Sequence, residues 1–315
     1  MSSYVVRRVA QLLPTVLGIV TLVFLMLRML PGDPAAFIAG ENIGEEALQA
    51  VRVKLGLDQP LGQQYITYLF KVMRFDLGQS IVTSLPVRQM VMSAIPVTLL
   101  IGIISLLLGF AISVPLGTVA AYMSSKGRAA MDQGLIWTAM IIDVMPSFWV
   151  ALLFMLLFTL LLGWLPATGP LDFSNPVALA KRVALPVLVL SIAQLATVAR
   201  ITRTAVMEVM NEDYVRTARA MGTGEAVVLF RHALPNAALP VVTVAGLSFG
   251  RLLGGTVIVE TIFALPGMGT LLINGINGRD YPVVQGVILI YASLFILINL
   301  LTDLLYTKID PRVKL

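Results

Sequence analysis

The sequence sets a few ionisable residues in or near long apolar runs. Asp143, Arg251 and Glu260 lie there, and Asn299 and Asp303 fall four apart on one helix face. A charge at the centre of a membrane helix costs about 2.5–3.5 kcal/mol, so each such group must face protein or water. Asp143, Arg251 and Glu260 therefore either line a polar passage or pack against other helices. For Asp143 the packing alternative is a place near a helix end beside Lys126 or Arg128, for Glu260 a place near the opposite edge, and for Arg251 a pair across a helix or subunit interface. Asn299 and Asp303 fit helix packing best. None of these residues forms a hydrolytic set. The chain has one histidine, His232, and no cysteine. That excludes disulfides, zinc-thiolate sites and a thiol nucleophile. No G-x-x-x-x-G-K-[ST] phosphate loop occurs, so ATP is not bound here in that manner. A membrane hydrolase would need an activating base within the bilayer, and none is in evidence.

The elements that must position these residues are apolar helices. Of 315 residues, 58% are hydrophobic and 12% charged, with a mean hydropathy of +0.90. Soluble domains carry about 25% charge, so the chain reads as an all-α integral membrane protein. A spanning helix needs about 20 apolar residues. Six stretches meet that length: about 9–30, 96–122, 135–165, 183–206, 239–263 and 283–306. The first is too long for a signal peptide and is followed by "MLPGDP" rather than a small-residue cleavage site. Pro115, Pro146 and Pro186 should break or thin their helices, and Gly250, Gly254 and Gly255 should allow close approach. Residues 1–94 divide off as the first span plus a long outer loop, 95–306 as a five-span core, and 307–315 as a tail.

The net charge of +5 reflects topology rather than nucleic-acid binding. With the N-terminus inside, Arg7, Arg8, Lys126, Arg128, Arg200, Arg203, Arg216, Arg219, Arg231, Lys308, Arg312 and Lys314 fall on the cytoplasmic side. The short outer loops hold only Lys181, Arg182 and Arg279. Basic residues favour the inside, so both termini are expected there. In the long outer loop, "GEEALQAVRVKLGL" from Gly44 to Leu57 has apolar residues at helical spacing and acids in its first turn, and predicts a short surface helix.

One charged island interrupts the greasy core. "EDYVRTARAMGTGEAVVLFRHALPNA" runs from Glu212 to Ala237. Tyr214, Ala218 and Met221 can share a helix face. Gly222 can take the positive-φ conformation that ends a helix, Thr223 is a candidate N-cap for a second helix from Gly224 to Leu234, and Pro235 would stop it. A helix, a glycine turn and a helix, with an apolar face and a charged rim, make a docking element for a soluble partner. An ordinary wet loop is the alternative.

The spacing from Gly222 to Leu234-Pro235 resembles the cytoplasmic "EAA" motif of ABC importer permeases. "DYVRTARAMG…RHALPNA" is similar to the dipeptide/oligopeptide permease family, B-type subunit. "LPGDP" at Leu30–Pro34, "DLGQS" at Asp76–Ser80, "ETIFALPGMG" at Glu260–Gly269, "RDYPVVQG" at Arg279–Gly286, "NLLTDLLY" at Asn299–Tyr306 and "DPR" at Asp310–Arg312 agree with it. Arg216, Thr217 and Ala218 stand where the general motif has Glu-Ala-Ala, as in the peptide branch, and His232 stands where it has Ile.

The resemblance implies a type I ABC importer permease bundle with six transmembrane helices in the bacterial cytoplasmic (inner) membrane. It implies a second homologous permease subunit, two ABC ATPase subunits that bind ATP and Mg, and an extracytoplasmic binding protein. No catalytic residue, metal site or cofactor is expected in this chain. ATPase coupling would fall to residues 207–236, with Glu212, Asp213, Tyr214, Arg216, Thr217, Ala218, Arg219, Gly222, Arg231, Leu234 and Pro235 named for it. In "ALPGMG", Pro266, Gly267, Met268 and Gly269 either cap the bundle or reach toward the binding protein. The cargo implied is a short peptide, with a nickel complex, glutathione or an oligosaccharide as alternatives. A stand-alone secondary transporter would show inverted repeats and midplane charges; no inverted repeat is discernible and such charges are few. The topology has a direct test, since the chain has no cysteine. With Ser124 inside and Gly169 outside, single cysteines should be labelled by an impermeant thiol reagent on intact cells at 169 and not at 124. The reverse pattern would refute the orientation.

Overall fold

A computed structural model of the chain describes residues 2–29 and 44–309; the "LPGDP" and "DPR" stretches and the end of the tail lie outside these, as do some side chains, among them Arg7, Arg8, Asp143, Asp303 and Lys308. The described residues are helical, with a single isolated bridge between Gln79 and Pro86. In order the helices are α1 (Ser2–Met29), α2 (Glu45–Leu55), α3 (Leu61–Met73), α4 (Val87–Ser125), α5 (Ala129–Val144), α6 (Ser147–Phe154, continuing as a π-helix over Met155–Leu161), α7 (Pro176–Ile192), α8 (Leu195–Met210) and α9 (Asp213–Ala220). They continue with α10 (Glu225–Val227, a π-helix over Val228–Ala233, then Leu234–Asn236), α11 (Ala238–Ile262), α12 (Met268–Asn277) and α13 (Tyr281–Ile309).

Apolar helices lie in each of the six stretches. α4, α11 and α13 are each long and apolar enough to cross a membrane; α5 with α6, bent by 90°, and α7 with α8, bent by 50°, reach that length only where each bent pair counts as one span; α1 carries the shorter apolar stretch Leu12–Met26. The surface helix expected after the first span is α2. The prolines behave differently from expectation. Pro115 and Pro186 lie inside α4 and α7 without ending them. Only Pro146 marks a break: Met145 before it is extended, with ψ 127°, as the ring clash with the preceding residue requires. The 50° bend between α7 and α8 falls instead at Ala193–Gln194, where no proline stands.

The described chain divides into two compact units, residues 1–97 with 266–296 and residues 98–265 with 297–315. In the first, Val87, Val91 and Ala94 of α4 pack with Met268 of α12 and Val283, Val287 and Ile290 of α13. α1 and α3 join along Val20, Val23, Tyr68 and Leu69, with the Phe24 and Tyr65 rings edge-on at 5.2 Å. The Gln285 amide donates to the Val23 carbonyl at 2.9 Å.

Asp280 organises this unit. It is 3% exposed. Its carboxylate accepts from Ser80 Oγ and from the Ile81, Val82 and Val283 backbone N–H groups at 3.1, 3.4 and 3.5 Å. The turn at residues 79–86 is thereby held on the N-terminus of α13, where a negative charge is also favoured by the helix dipole. "DLGQS" and "RDYPVVQG", distant in sequence, thus meet in one knot.

In the second unit α8 packs against α5 and α11. A Cβ on Gly117 of α4 would lie 2.2 Å from the Ala199 carbonyl of α8, so only glycine permits that approach. Asp132 of α5, 2% exposed, takes a two-pronged ion pair from Arg203 of α8. Arg182, 3% exposed, donates to the Gly169, Ala167 and Phe263 carbonyls at 3.0, 3.0 and 2.5 Å. It ties the loop before α7 to the C-terminal end of α11. Gly169 has φ +130°, so its neighbour Thr168, exposed, is the less strained reporter position for the outer side.

Asp280→Ala should cost on the order of 3 kcal/mol, because charge-assisted bonds are lost and the Ser80 hydroxyl is left buried without its acceptor. Thermal melting in detergent measures it; an unchanged midpoint would show that the knot contributes nothing.

Candidate functional site

The island folds as a helix pair, α9 and α10. α9 begins at Asp213, whose charge suits a helix N-terminus, and carries Arg219 in its last turn, where a cation is favoured. It ends at Gly222, with φ +79°. The Gly222 N–H bonds the Arg219 carbonyl at 3.0 Å and the Thr223 N–H bonds the Ala218 carbonyl at 3.1 Å. This double closure satisfies orphan carbonyls and requires the positive φ that Gly supplies. The expected N-cap is displaced by one residue: Gly224, not Thr223, caps α10, without a side-chain bond. Pro235 does not end the helix. It lies past a π-helical stretch, Val228–Ala233, and the helical run reaches Asn236. The wider π turn moves the backbone away from where a proline ring would meet the carbonyl four residues back.

The pair packs through an inner apolar layer. Val215 and Ala218 of α9 meet Val228 of α10. Leu229, Ala233 and Ala237 pack on Ala121 of α4 and on Ala205, Val206 and Met210 of α8. The expected face of Tyr214, Ala218 and Met221 is therefore split. Residues three and four apart share a helix face, and the inward stripe is Val215 with Ala218. Tyr214 and Met221, seven apart, point outward at 44% and 75% exposure. With Val227 and Phe230 they leave an exposed apolar set, among exposed Glu212, Asp213, Arg216, Thr217 and Arg231. Arg216 and Asp213 form an exposed ion pair at 3.5 Å. Leu234 is half-buried and Pro235 exposed.

A charged node locks the pair. The Glu225 carboxylate accepts from Lys126 Nζ at 3.0 Å, just beyond α4, and pairs with Arg219 of α9 at 3.3 Å. The Lys126 bond, with the nearby positive charges, holds the Glu225 carboxyl below its ordinary range, against a smaller opposing effect of burial. Lys126 also stands over the Tyr122 ring at 5.7 Å. His232 is half-buried, and its carbonyl accepts from the Asn236 amide at 2.7 Å.

The remaining candidates do not assemble into one site. Glu260 is fully buried and accepts from Thr98 Oγ1 at 2.7 Å, a bond that joins α11 to α4. Asp143 lies in α5, and its side chain is outside the described ones. Arg251 is exposed on α11, and among the described residues it has no ion-pair partner. Of the outer-loop residues only Pro266 is exposed. Gly267 and Gly269 are buried, and Met268 sits fully buried in the core of the first unit. Sequence reading passed over Asp132, Glu225 as an ion-pair centre, and Arg182 as a tie. Glu225 follows the glycine turn by three residues with Arg219 three residues before it, a spacing that could have suggested the node. No local pattern announces the other two. Among the described residues no group of three acidic or histidine side chains could hold a metal.

Comparison with known proteins places this geometry. The family described as "Binding-protein-dependent transport system inner membrane component" matches residues 113–315, and its N-terminal companion family matches residues 1–102. The chain belongs to this family of transport permease components, and it is a multi-pass protein of the inner membrane. Relatives include a Brucella abortus (strain 2308) permease named for peptide transport, 43% identical over 100% of this chain and 99% of that one. A dipeptide transport system permease protein of Alkalihalophilus pseudofirmus is 36% identical over the whole of both chains. The glutathione transport system permease protein of Salmonella paratyphi A is 39% identical over 100% and 99%. The fold is that of type I importer permeases: an inward-facing MetNI methionine ABC transporter structure matches with a TM-score of 0.60 at 18% identity, over 71% of this chain and 98% of that one.

The Glu225 node predicts a pH dependence of definite sign. A lowered folded pKa means that the node's contribution is present above the ordinary glutamate pKa, near ~4.3, and is lost as pH falls through the lower folded value. Lys126→Ala should shift the Glu225 carboxyl titration, followed by carbon NMR of labelled glutamate, upward toward the ordinary range. An unmoved midpoint would mean that Lys126 does not hold it.

Proposed function

We propose that this chain forms half of the membrane passage of an ATP-driven importer for short peptides, with α9 and α10 as the element that seats on an ATPase subunit. The observation that carries the reading is the helix pair itself: an inner layer fixes it to α4 and α8, while Tyr214, Met221, Val227 and Phe230 stay exposed within a charged rim. Apolar anchors surrounded by polar groups are what a protein partner recognises. The same set facing only water would have no such reason to be held rigidly.

In this reading both termini and the helix pair are cytoplasmic, and residues 95–306 form the permease core. A second, homologous permease completes the passage. Two ATPase subunits bind ATP and Mg, and this chain holds no cofactor. An extracytoplasmic binding protein delivers the cargo, which the names of the relatives support as a peptide or peptide-like molecule. Closure of the ATPase pair would move each seated helix pair as a rigid body, and the node of Lys126, Glu225 and Arg219 would carry that movement to α4.

Gly222→Val is the test. A Cβ there would meet open space, so the cost is backbone strain alone, about 1–2 kcal/mol for a β-branched residue at positive φ. The spans do not depend on this turn. The variant should reach the membrane and yet lose uptake, with ATPase activity that no longer rises when loaded binding protein is added to the reconstituted complex. Normal stimulation together with normal uptake would show the island to be a wet loop.

A further inference from the structure

Among the described residues, the buried charged groups of the second unit are partnered. Asp132 has Arg203, Arg182 has four backbone carbonyls, and Glu260 has Thr98. Arg251 stands apart from these groups. It stands thirteen residues after Ala238 and eleven before Ile262, in the middle of α11. At about 1.5 Å per residue it is roughly 17–20 Å from either helix end, too deep for the interfacial placement open to arginines near helix ends. It is exposed, and among the described residues it has neither hydrogen bond nor ion pair. Leu247, Gly254 and Ile258 share its face, being four before, three after and seven after it. Leu247 and Ile258 are 57% and 45% exposed. A Cβ on Gly254 would meet nothing within 4 Å, so there is open room one turn from the guanidinium.

A permanently charged guanidinium at this depth cannot be left to lipid. It must meet water or an anion, and its planar fork matches a carboxylate. On the reading that this chain conducts peptides, the anion is supplied by the cargo. Peptides, dipeptides and glutathione, for which the relatives are named, share a free terminal carboxylate. We infer that Arg251 faces the passage and is the transient counter-ion of the cargo's carboxylate as it crosses the middle of the membrane. The apolar residues on either side keep the contact partly dry, and the absence of a fixed partner leaves the arginine available for each passing molecule.

The test uses the complete complex in proteoliposomes, with dialanine and dialanine amide as cargoes, each at a concentration that saturates the binding protein. Arg251→Gln should lower dialanine uptake about tenfold, the loss expected for a charge-assisted contact. It should leave amide uptake nearly unchanged. Arg251→Lys, which keeps the charge but not the fork, should fall between. Subunit assembly and melting should match the parent complex for both variants. Equal loss for both cargoes would overturn the inference. So would a fall in assembly or melting, which would assign Arg251 to a carboxylate of the second membrane subunit. If the unaltered complex fails to move dialanine at all, the peptide reading itself falls, and this inference with it.

Discussion

Hydrocarbon offers no hydrogen bonds, and the rest of this structure follows from that constraint. Every backbone polar group facing lipid must find its partner within the protein. A straight helix does so unaided; a broken one does not. The break between α7 and α8 is accordingly supported from the side: the Gln194 amide donates to the Ser105 carbonyl at 2.9 Å, and Ser191 Oγ reaches the same carbonyl at 3.1 Å. Where α11 ends, Arg182 supplies donors to the Phe263 and Ala264 carbonyls. Where α13 begins, Asp280 accepts from the facing turn. The side chains that look out of place in a greasy chain are those that make its irregular backbone tolerable.

Much of the architecture was legible in the sequence because apolar length is a strong signal. The six apolar segments, the short helix after the first span and the positive φ at Gly222 follow from residue type alone. Details governed by tertiary contact were less accessible. Proline reads as a breaker, yet Pro115 and Pro186 sit within unbroken helices, since neighbouring groups in a bundle can relieve the lost bond. The bend at Ala193–Gln194 has no local marker; it depends on Ser105, eighty-nine residues before Gln194. Glu260 and Met268 illustrate the same limit. Both belong to a motif suggestive of function, and both are buried packing groups.

Within the helix pair, local rules and tertiary packing meet. The glycine turn is local chemistry. The inward choice of Val215 and Ala218, which leaves Tyr214 and Met221 outside, is decided by what α8 and α10 present. A surface held from behind by Leu229, Ala233 and Ala237 is presented at a fixed angle.

The knot at Asp280 also constrains how the protein comes into being. Ser80 and Asp280 are 200 residues apart, and Val23 and Gln285 are 262 apart. Neither contact can form until nearly the whole chain has left the ribosome. At about 5–20 residues per second, the turn at residues 79–86 waits on the order of 10–40 s for its carboxylate. During that interval the contiguous part of the second unit, residues 98–265, is already synthesised. The N-terminal span is thus first to be synthesised and among the last to be secured, so a chain interrupted before its final helix would hold an unfinished half that quality-control proteases can distinguish from the finished one.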